Sequence, residues 1–471
     1  MIGVIDCNNF YVSCERILDP SLNGKPVVVL SNNDGVVISR SNEVKALGVS
    51  MAGAAYQYRD LFKKHGVKVF SANFNYYMQV SEQVMRIIRD YSPDVEVYSV
   101  DEAFINMRGL EWKKPIEYMR SLRDEVLREV KVPVSIGIAE SKTLTKVAAE
   151  FAKKDPSHHG VLSFFGDKQL REEYLGNLDV GDLWGVGRQF EKLLHGNNIR
   201  TALELLKMPD PWILKHLHIG GLKMAWELRG ISCIPVAANL AAPKQIMRSR
   251  SFGRYVSSLS ELKEAAALFM SMAAESLRAH KLVAGIAGVF ILTNQFNDDP
   301  KYSGSLSDAI DEPTSYTPDL IAHVHRLLER IYRPEFRYQK LGVMLTDLSP
   351  GKKMQLTFSY DEKTLLQHER MMNVLDKINS KYRENHLVSL AAEGTEHSWN
   401  SRQQHLSQTS PSYVDPKERT RFMTTVSLPG TPPKPKPPSN VYTLEPAQQS
   451  RALAKQVVER IMREGALGKE E

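Results

Sequence analysis

An α+β fold divided among several domains is what this sequence predicts, and three observations predict it. Between residue 1 and about 165, short β-branched runs alternate with stretches whose apolar residues recur at helical spacing. From about 166 to 235 the pattern is helical and punctuated by glycine. From Lys244 to about 350, strand runs return around two long helical stretches. An antiparallel sheet with helices on one face accounts for the first region, and a smaller α+β unit for the third. A length of 471 residues accommodates about three or four domains.

Taken in order, Ile2–Ile5 reads as a strand and Phe10–Leu18 as a helix. Val27–Leu30 is a β-branched strand set off by Gly24-Lys25-Pro26, and Val36–Ser39 a second short strand. Asn42–Leu47 is helical and stops at Gly48, and Asn73–Tyr91 ends before Pro93. Val95–Val100 and Ala103–Met107 are strands on either side of an acidic pair. Pro115–Val130 is helical, Val134–Ala139 a strand and Ser141–Lys154 a helix. Val236–Pro243 has the composition of a linker. Beyond it, Gly285–Thr293 and Leu341–Thr346 are strands, and Leu259–His280 and Pro318–Tyr332 helices. A last helical stretch runs from Asp361 to about Arg383 before the chain turns polar. Residues 428–438 form a proline-rich linker, and Pro446–Gly465 is amphipathic, with Leu453, Val457, Val458 and Ile461 on one stripe.

Composition excludes several classes. Hydrophobic residues make up 42% and charged residues 25%, ordinary for a chain with real cores. No apolar run reaches the ~18 residues of a membrane span, and the start of the chain lacks the pattern of a signal peptide. Cys7, Cys14 and Cys233 have no CxxC spacing, which argues against zinc and disulfides and for a reducing cytoplasm. No histidine has metal-site spacing. A net charge of +6 permits nucleic-acid binding through local patches without demonstrating it.

The chemistry is carried by two short acidic elements. Asp6 ends the apolar run Met1–Ile5, and Asp101-Glu102 lies inside Tyr98-Ser99-Val100-Asp101-Glu102-Ala103-Phe104. An unpaired carboxylate in a buried strand costs several kcal/mol or neutralises. Three that stay ionised need a counter-charge, and a hard divalent cation such as Mg²⁺ supplies it through oxygen ligands. Two such ions ~3.5–4 Å apart clamp the attacking and leaving oxygens of a phosphoryl displacement. Adjacent strand residues point to opposite faces, so Asp101 and Glu102 converge only if the backbone bends there.

Asp6-Cys7-Asn8-Asn9-Phe10-Tyr11, followed by the segment Tyr98–Phe104, closely resembles the signature of the Y-family DNA polymerases. The resemblance covers residues 1 to about 350, and in the UmuC-like branch extends more weakly to about 425. The family most often has Ile where this chain has Val100. The resemblance implies a right-hand polymerase: a ferredoxin-like palm (1–30 and 71–165), small fingers (31–70), a helical thumb with a helix-hairpin-helix (166–235) and an α+β little finger (244–350). Residues 351–427 then correspond to a UmuC-type C-terminal region, and 428–471 lie outside the resemblance. The activity implied is error-prone translesion synthesis with two Mg²⁺ ions, in a bacterial SOS response, in the cytoplasm at the nucleoid.

The same resemblance implies the roles of individual residues. Asp6, Asp101 and Glu102 are catalytic and, with the Cys7 carbonyl, ligate metal. Ser99 orients the acidic pair. Tyr11 is the steric gate, an aromatic ring that leaves no room for a 2′-hydroxyl. Phe10, Arg40, Asn42, Lys45 and Lys153 face the dNTP phosphates, Lys154 being the rival of Lys153 by register. Many relatives have Tyr and Arg where this chain has Asn42 and Lys45, so a bidentate clamp gives way to a point charge. The strand end turning into a helix at Ser39–Lys45 offers backbone N–H groups as well.

Leu183-Trp184-Gly185-Val186-Gly187-Arg188 resembles the DNA-holding hairpin, with Gly185, Gly187 and Arg188 at the phosphates. Lys244–Arg254 carries spaced cations and no acid. On a strand, Arg248, Arg250 and Arg254 share one face, suited to a phosphate backbone. Gln355, Leu356 and Phe358 resemble a shortened sliding-clamp-binding peptide. Trp399 and Ser410-Pro411-Ser412-Tyr413 resemble the UmuC-type C-terminal region, which in that branch implies UmuD′-like subunits and a RecA filament as partners. Two other classes stay in view. A palm-fold nucleotide cyclase would use two carboxylate segments but needs no grip on a duplex. A non-catalytic DNA- or clamp-binding subunit would not require Asp6, Asp101 and Glu102 together.

Overall fold

In the computed structural model of the protein, the described residues are 1–107, 114–237, 242–351, 362–381, 397 and 399–407. The first unit opens with strand β1 (Ile2–Cys7) and helix α1 (Phe10–Leu18). A small excursion follows: β2 (Val27–Leu30), β3 (Val37–Arg40), α2 (Asn42–Ala46), α3 (Arg59–Lys64) and β4 (Lys68–Ser71). The chain then returns through α4 (Phe74–Tyr91), β5 (Val95–Val97), β6 (Glu102–Asn106), α5 (Pro115–Val130), β7 (Val134–Ala139), α6 (Lys142–Lys154) and β8 (Val161–Ser163). Local chemistry sets these limits. Asn73 caps α4 by accepting the Tyr76 N–H (3.2 Å), Ser141 caps α6, and Lys131 ends α5 in the left-handed conformation (φ 66°).

The main sheet has the order β5-β6-β1-β7-β8. Two expectations change here. β7 and β8 pair in parallel, so the sheet is mixed rather than antiparallel. Helices also cover both faces. Ile5, Ala103, Ile105, Ile136 and Ile138 pack with α4 and α5, whereas Ile2, Val4 and Phe104 meet Ala149 of α6 on the opposite face. The reason is the two-residue period of β1, which is apolar on both sides up to Asp6. Strands β4 and β8 escape a reading based on apolar runs because they are short and lie beside glycine or polar residues.

β2, β3 and β4 form a separate three-stranded sheet with its own core, built on Val28, Val37, Val44 and Phe62. After β8 come α7 (Lys168–Gly176), α8 (Arg188–Gly196), α9 (Ala202–Lys207) and α10 (Asp210–Leu228), the last broken at His218 (φ 58°). Their core is continuous with α6 through Leu144, Val147 and Ala148. The C-terminal unit comprises β9 (Ile246–Val256), α11 (Leu259–Ala279), β10 (Leu282–Thr293), β11 (Ser303–Thr314), α12 (Thr317–Ile331) and β12 (Tyr338–Pro350). Its sheet order is β11-β10-β12-β9, with α11 and α12 packed on it. β11 is a polar edge strand, which is why an apolar pattern does not reveal it. Helix α13 (Glu362–Lys381) docks beside it through Arg278, whose guanidinium grips Asp376 (2.6 Å). Among the described residues no helix is long and apolar enough to cross a membrane.

Two buried carboxylates fasten the segment after α10 to the main sheet. Glu227 accepts hydrogen bonds from the Thr143 N–H and hydroxyl and from the Cys233 and Ile234 N–H groups (2.8–3.1 Å). Glu96 binds the Lys142 ammonium (2.6 Å) and accepts the Ala237 N–H (2.6 Å). With the side chains only 11% and 3% exposed, Glu96→Ala would strand an ammonium in the interior. We expect a loss of about 3–5 kcal/mol, read by denaturant or thermal melting. A change within error of zero would show that water reaches Lys142 in the native protein.

Candidate active site

The site forms at the end of β1, on the face that α6 covers. Register places Asp6 directly opposite Glu102 across β1 and β6, so both side chains leave the sheet on one side. Asp101 precedes β6, in a turn rather than on a strand. The Tyr98 and Ser99 N–H groups both donate to the Glu102 carbonyl, ending β5 at Val97. This is the bend that lets the adjacent carboxylates converge. Ser99 holds the turn: its hydroxyl donates to Asp101 Oδ1 (2.6 Å) and accepts the Asp101 N–H (3.2 Å). The Cys7 N–H donates to the Asp101 carbonyl (2.9 Å), tying the two acidic elements together.

Helix α6 supplies the counter-charges. Lys153 Nζ lies 2.8 Å from Asp6, and Lys146 Nζ lies 2.9 Å from Glu102. Lys154 pairs instead with Glu150 at the surface, so of the two it is Lys153 that faces the carboxylates. α6 comes this close because β7 carries Gly137. A Cβ there would lie 2.0 Å from the Thr145 carbonyl oxygen and 2.5 Å from the Ala149 nitrogen. Burial pushes Glu102 above the usual carboxylate range, opposed by Lys146 and reinforced by Asp6. Burial would lower the Lys153 ammonium, but the Asp6 carboxylate reverses this and raises it.

Lys146 is a residue that the sequence reading missed. Its ammonium also sits over the rings of Tyr98 (5.0 Å) and Trp184 (5.3 Å). The available signal was helical spacing, since residues 142, 146 and 153 fall on one stripe of α6. Asp6, Glu102, Lys146, Glu150, Lys153 and Trp184 are among the residues that line a cleft of about 300 Å³.

The donor set fits a hard divalent cation: three carboxylates with two ammonium groups standing in for positive charge. Among the described residues no three acidic, His or Cys side chains already surround one point at ligating geometry. The Cys7 thiol is buried on the other face of β1, and burial together with Asp6 and Asp101 pushes it well above its ordinary pKa.

Beside the carboxylates, Asn9 turns the chain in a left-handed conformation (φ 48°) and starts α1. Tyr11 stacks on Tyr77 of α4 (4.8 Å, 21°) and meets the edge of Phe74 (5.8 Å). Burial and the nearby Asp101 raise its phenol pKa. The phosphate candidates divide. Lys45 is exposed at the surface, and partial desolvation with Lys153 and Arg40 nearby lowers its pKa, the mark of a cluster of cations beside Asp6. Asn42 accepts a hydrogen bond from Asn9 (3.1 Å) at the same edge. Arg40 donates from Nη1 to the Val49 carbonyl, and the Phe10 side chain is buried in the core. α2 is a single five-residue turn, which leaves cations rather than a helix terminus to hold an anion.

The expected DNA contacts are also partly redrawn. Gly185 takes φ 100°, open only to glycine, and Gly187 is the N-cap of α8, which Arg188 begins. A three-residue 3₁₀ turn (Val180–Asp182) precedes this hairpin, so its first helix is minimal. On edge strand β9, Arg248 pairs with Val343 and Arg250 with Leu341, both fully buried. The two arginines therefore emerge on the side covered by helices rather than on the open face. Arg254 falls within an irregularity between Ser251 and Val256 and pairs with Glu261. Gln355, Leu356 and Phe358, Ser410–Tyr413, and the proline-rich and terminal amphipathic segments lie outside the described residues.

Residues 5–150 match the impB/mucB/samB family, and residues 243–358 match that family's C-terminal domain. Residues 369–412 match a domain of unknown function (DUF4113). The chain is 35% identical to Protein UmuC of Salmonella typhimurium over 411 residues, covering 86% of this chain and 97% of that protein. It is 34% identical to Protein ImpB of Salmonella typhimurium, over 87% and 96% respectively. DNA polymerase IV 1 of Bacillus subtilis is 28% identical, over 80% and 89%. Among solved structures, a Y-family DNA polymerase chimera of Dbh and Dpo4 superposes with a TM-score of 0.59 at 20% identity. That match covers 74% of this chain and 99% of the chimera.

Proposed function

Because this chain belongs to the impB/mucB/samB family, the UmuC-like branch of the Y-family DNA polymerases, we propose that Asp6, Asp101 and Glu102 are the carboxylates of a two-metal nucleotidyl-transfer site. The protein is a DNA-directed DNA polymerase of the error-prone, translesion kind. It acts on DNA and deoxynucleotides and depends on a divalent cation. The observation that carries the site is the facing of Asp6 and Glu102 across two strands, with Asp101 turned in beside them and lysines of one helix opposite. In our reading the palm spans 1–30 and 71–165, the fingers 31–70, the thumb 166–235 and the little finger 244–350.

Two Mg²⁺ ions, when bound, neutralise the triphosphate and stabilise the charge that develops on the attacking and leaving oxygens. Everything else falls to the chain itself. Ser99 fixes Asp101, and the β1–β6 register fixes Asp6 against Glu102. Lys45 and Lys153 hold the incoming phosphates, and the Cys7 carbonyl completes the ligand set. Tyr11, braced by Tyr77 and Phe74, excludes a 2′-hydroxyl. Gly185, Gly187 and Arg188 hold the duplex from the thumb, and the little finger adds Arg248 and Arg250 from the helix-side rim of its edge strand, where Glu261 takes up Arg254. UmuD′-like subunits, a RecA filament and a sliding clamp are the partners we assign, with the clamp reached through Gln355, Leu356 and Phe358.

Lys153→Ala should raise the KM for dNTP by roughly 10–100-fold, the equivalent of a lost charge-assisted bond, with little change in the Kd for primer-template. An equal loss in both would assign Lys153 to the DNA instead. The reading as a whole is tested by primer extension with Mg²⁺ and dNTPs on undamaged and abasic templates, with and without an activated RecA filament. Incorporation that passes the abasic site supports it. Binding of DNA without incorporation in any condition overturns it in favour of a non-catalytic subunit.

A further inference from the structure

Residues 397 and 399–407 lie against the body of the protein. Trp399 is 2% exposed, set in the core of the C-terminal unit between Phe252 (5.8 Å) and Phe269 (5.9 Å) and stacked on His397 (4.7 Å). His397 in turn binds Glu264 (2.6 Å), and the Gly253 N–H donates to the Trp399 carbonyl (3.1 Å). A Cβ at Gly253 would lie 2.1 Å from the Asn400 carbonyl oxygen, so β9 is cut away where the segment passes.

From this anchor the chain crosses to the fingers and the palm. The Arg402 N–H donates to Asn33 Oδ1 and the Gln404 N–H to Asp34 Oδ2, each at 2.8 Å. Gln403 Nε2 donates to the Ala72 carbonyl (2.8 Å). The His405 N–H donates to Ser71 Oγ, and the Ser71 N–H donates to the His405 carbonyl, both at 2.9 Å. Ser407 reaches Glu15 (3.4 Å), the carboxylate that accepts the Tyr77 hydroxyl (2.6 Å) behind Tyr11. Asn33 and Asp34 both have positive φ (64° and 52°), which aims their side chains at the segment, and Asn33 also donates to the Ser251 carbonyl of β9 (3.0 Å). Asn and Asp tolerate that conformation better than other side chains.

We propose that residues 399–407 are a strap that fastens the little finger to the fingers and limits how far the little finger swings. Residues 399–407 are then a built-in positioning element, bound against the fingers and reaching the carboxylate behind Tyr77. Its anchor is hydrophobic and deep, whereas its far end is held by individual hydrogen bonds, each of modest net strength in water. The far end is therefore the part that releases first. The names of the two units rest on the polymerase reading, but the contact itself does not.

The test is a distance measurement, independent of activity. In the full chain with Cys233→Ser, spin labels at Tyr56→Cys in the fingers and Phe296→Cys in the little finger use two exposed positions (66% and 99%). Cys7 and Cys14 are buried and stay unlabelled. Pulsed dipolar spectroscopy should give one narrow distance distribution. The pair Asn33→Gly and Asp34→Gly removes three of the side-chain contacts while keeping the backbone conformation allowed, and should widen that distribution at least twofold. Trp399→Ala should do the same from the other end, with the glycine pair as the control should the little finger fail to fold. Equal widths in parent and variants, or a parent already as broad as the variants, would overturn the strap.

Discussion

Asp101→Ala is expected to abolish templated incorporation, lowering kcat by about 10³-fold or more while leaving DNA binding and the melting temperature near those of the parent. Losing one ligand from a site that binds charge through oxygen atoms forfeits several kcal/mol of transition-state stabilisation. Fold stability should be spared because Asp101 sits in a turn, and its side-chain bond is to Ser99 of the same turn. Asp6→Ala would be a less clean experiment, since it leaves Lys153, whose side chain is only 25% exposed, without its partner. Single-turnover extension of a labelled primer separates the outcomes. A variant that extends at the parental rate removes Asp101 from the chemistry. One that neither binds DNA nor melts cooperatively assigns it a structural role.

Tyr11→Ala should open the nucleotide pocket to ribonucleotides, reducing the ratio of kcat/KM for dNTP over rNTP by roughly 10- to 200-fold, the range by which a pocket rejects a small extra group. A ring excludes only if it cannot yield. Tyr11 is stacked on Tyr77, which Glu15 holds by its hydroxyl, and Phe74 closes the edge. Tyr11→Phe keeps the ring and should keep discrimination. If alanine leaves the ratio unchanged, selection against the 2′-hydroxyl lies elsewhere and Tyr11 belongs to the aromatic core of α1 and α4.

The sequence discloses what is local. Asp6 and Asp101-Glu102 stand out because apolar runs make them conspicuous, and the helices Pro115–Val130 and Leu259–His280 because proline, lysine and helical spacing mark their ends. β11 stays hidden because a polar edge strand has no apolar alternation. The two-sided cover of the main sheet is hidden too, because an apolar pattern does not say which helix lies over which face. Arg248 and Arg250 share a face as their spacing implies, yet only pairing with Leu341 and Val343 reveals which face that is. The strap is the extreme case. Its bonds join residues more than three hundred positions apart and use backbone groups, which every residue carries.

Gly137 places α6, and with it Lys146 and Lys153, against the carboxylates. Any side chain there would collide with helix backbone, which cannot rotate aside as a flexible side chain can. In a screen for loss of error-prone DNA synthesis, alleles of residue 137 would therefore score alongside alleles of the acidic residues. A mutational map of the protein would show an inheritance of function that runs through the interior, from a missing methyl group to two charges on the helix it admits.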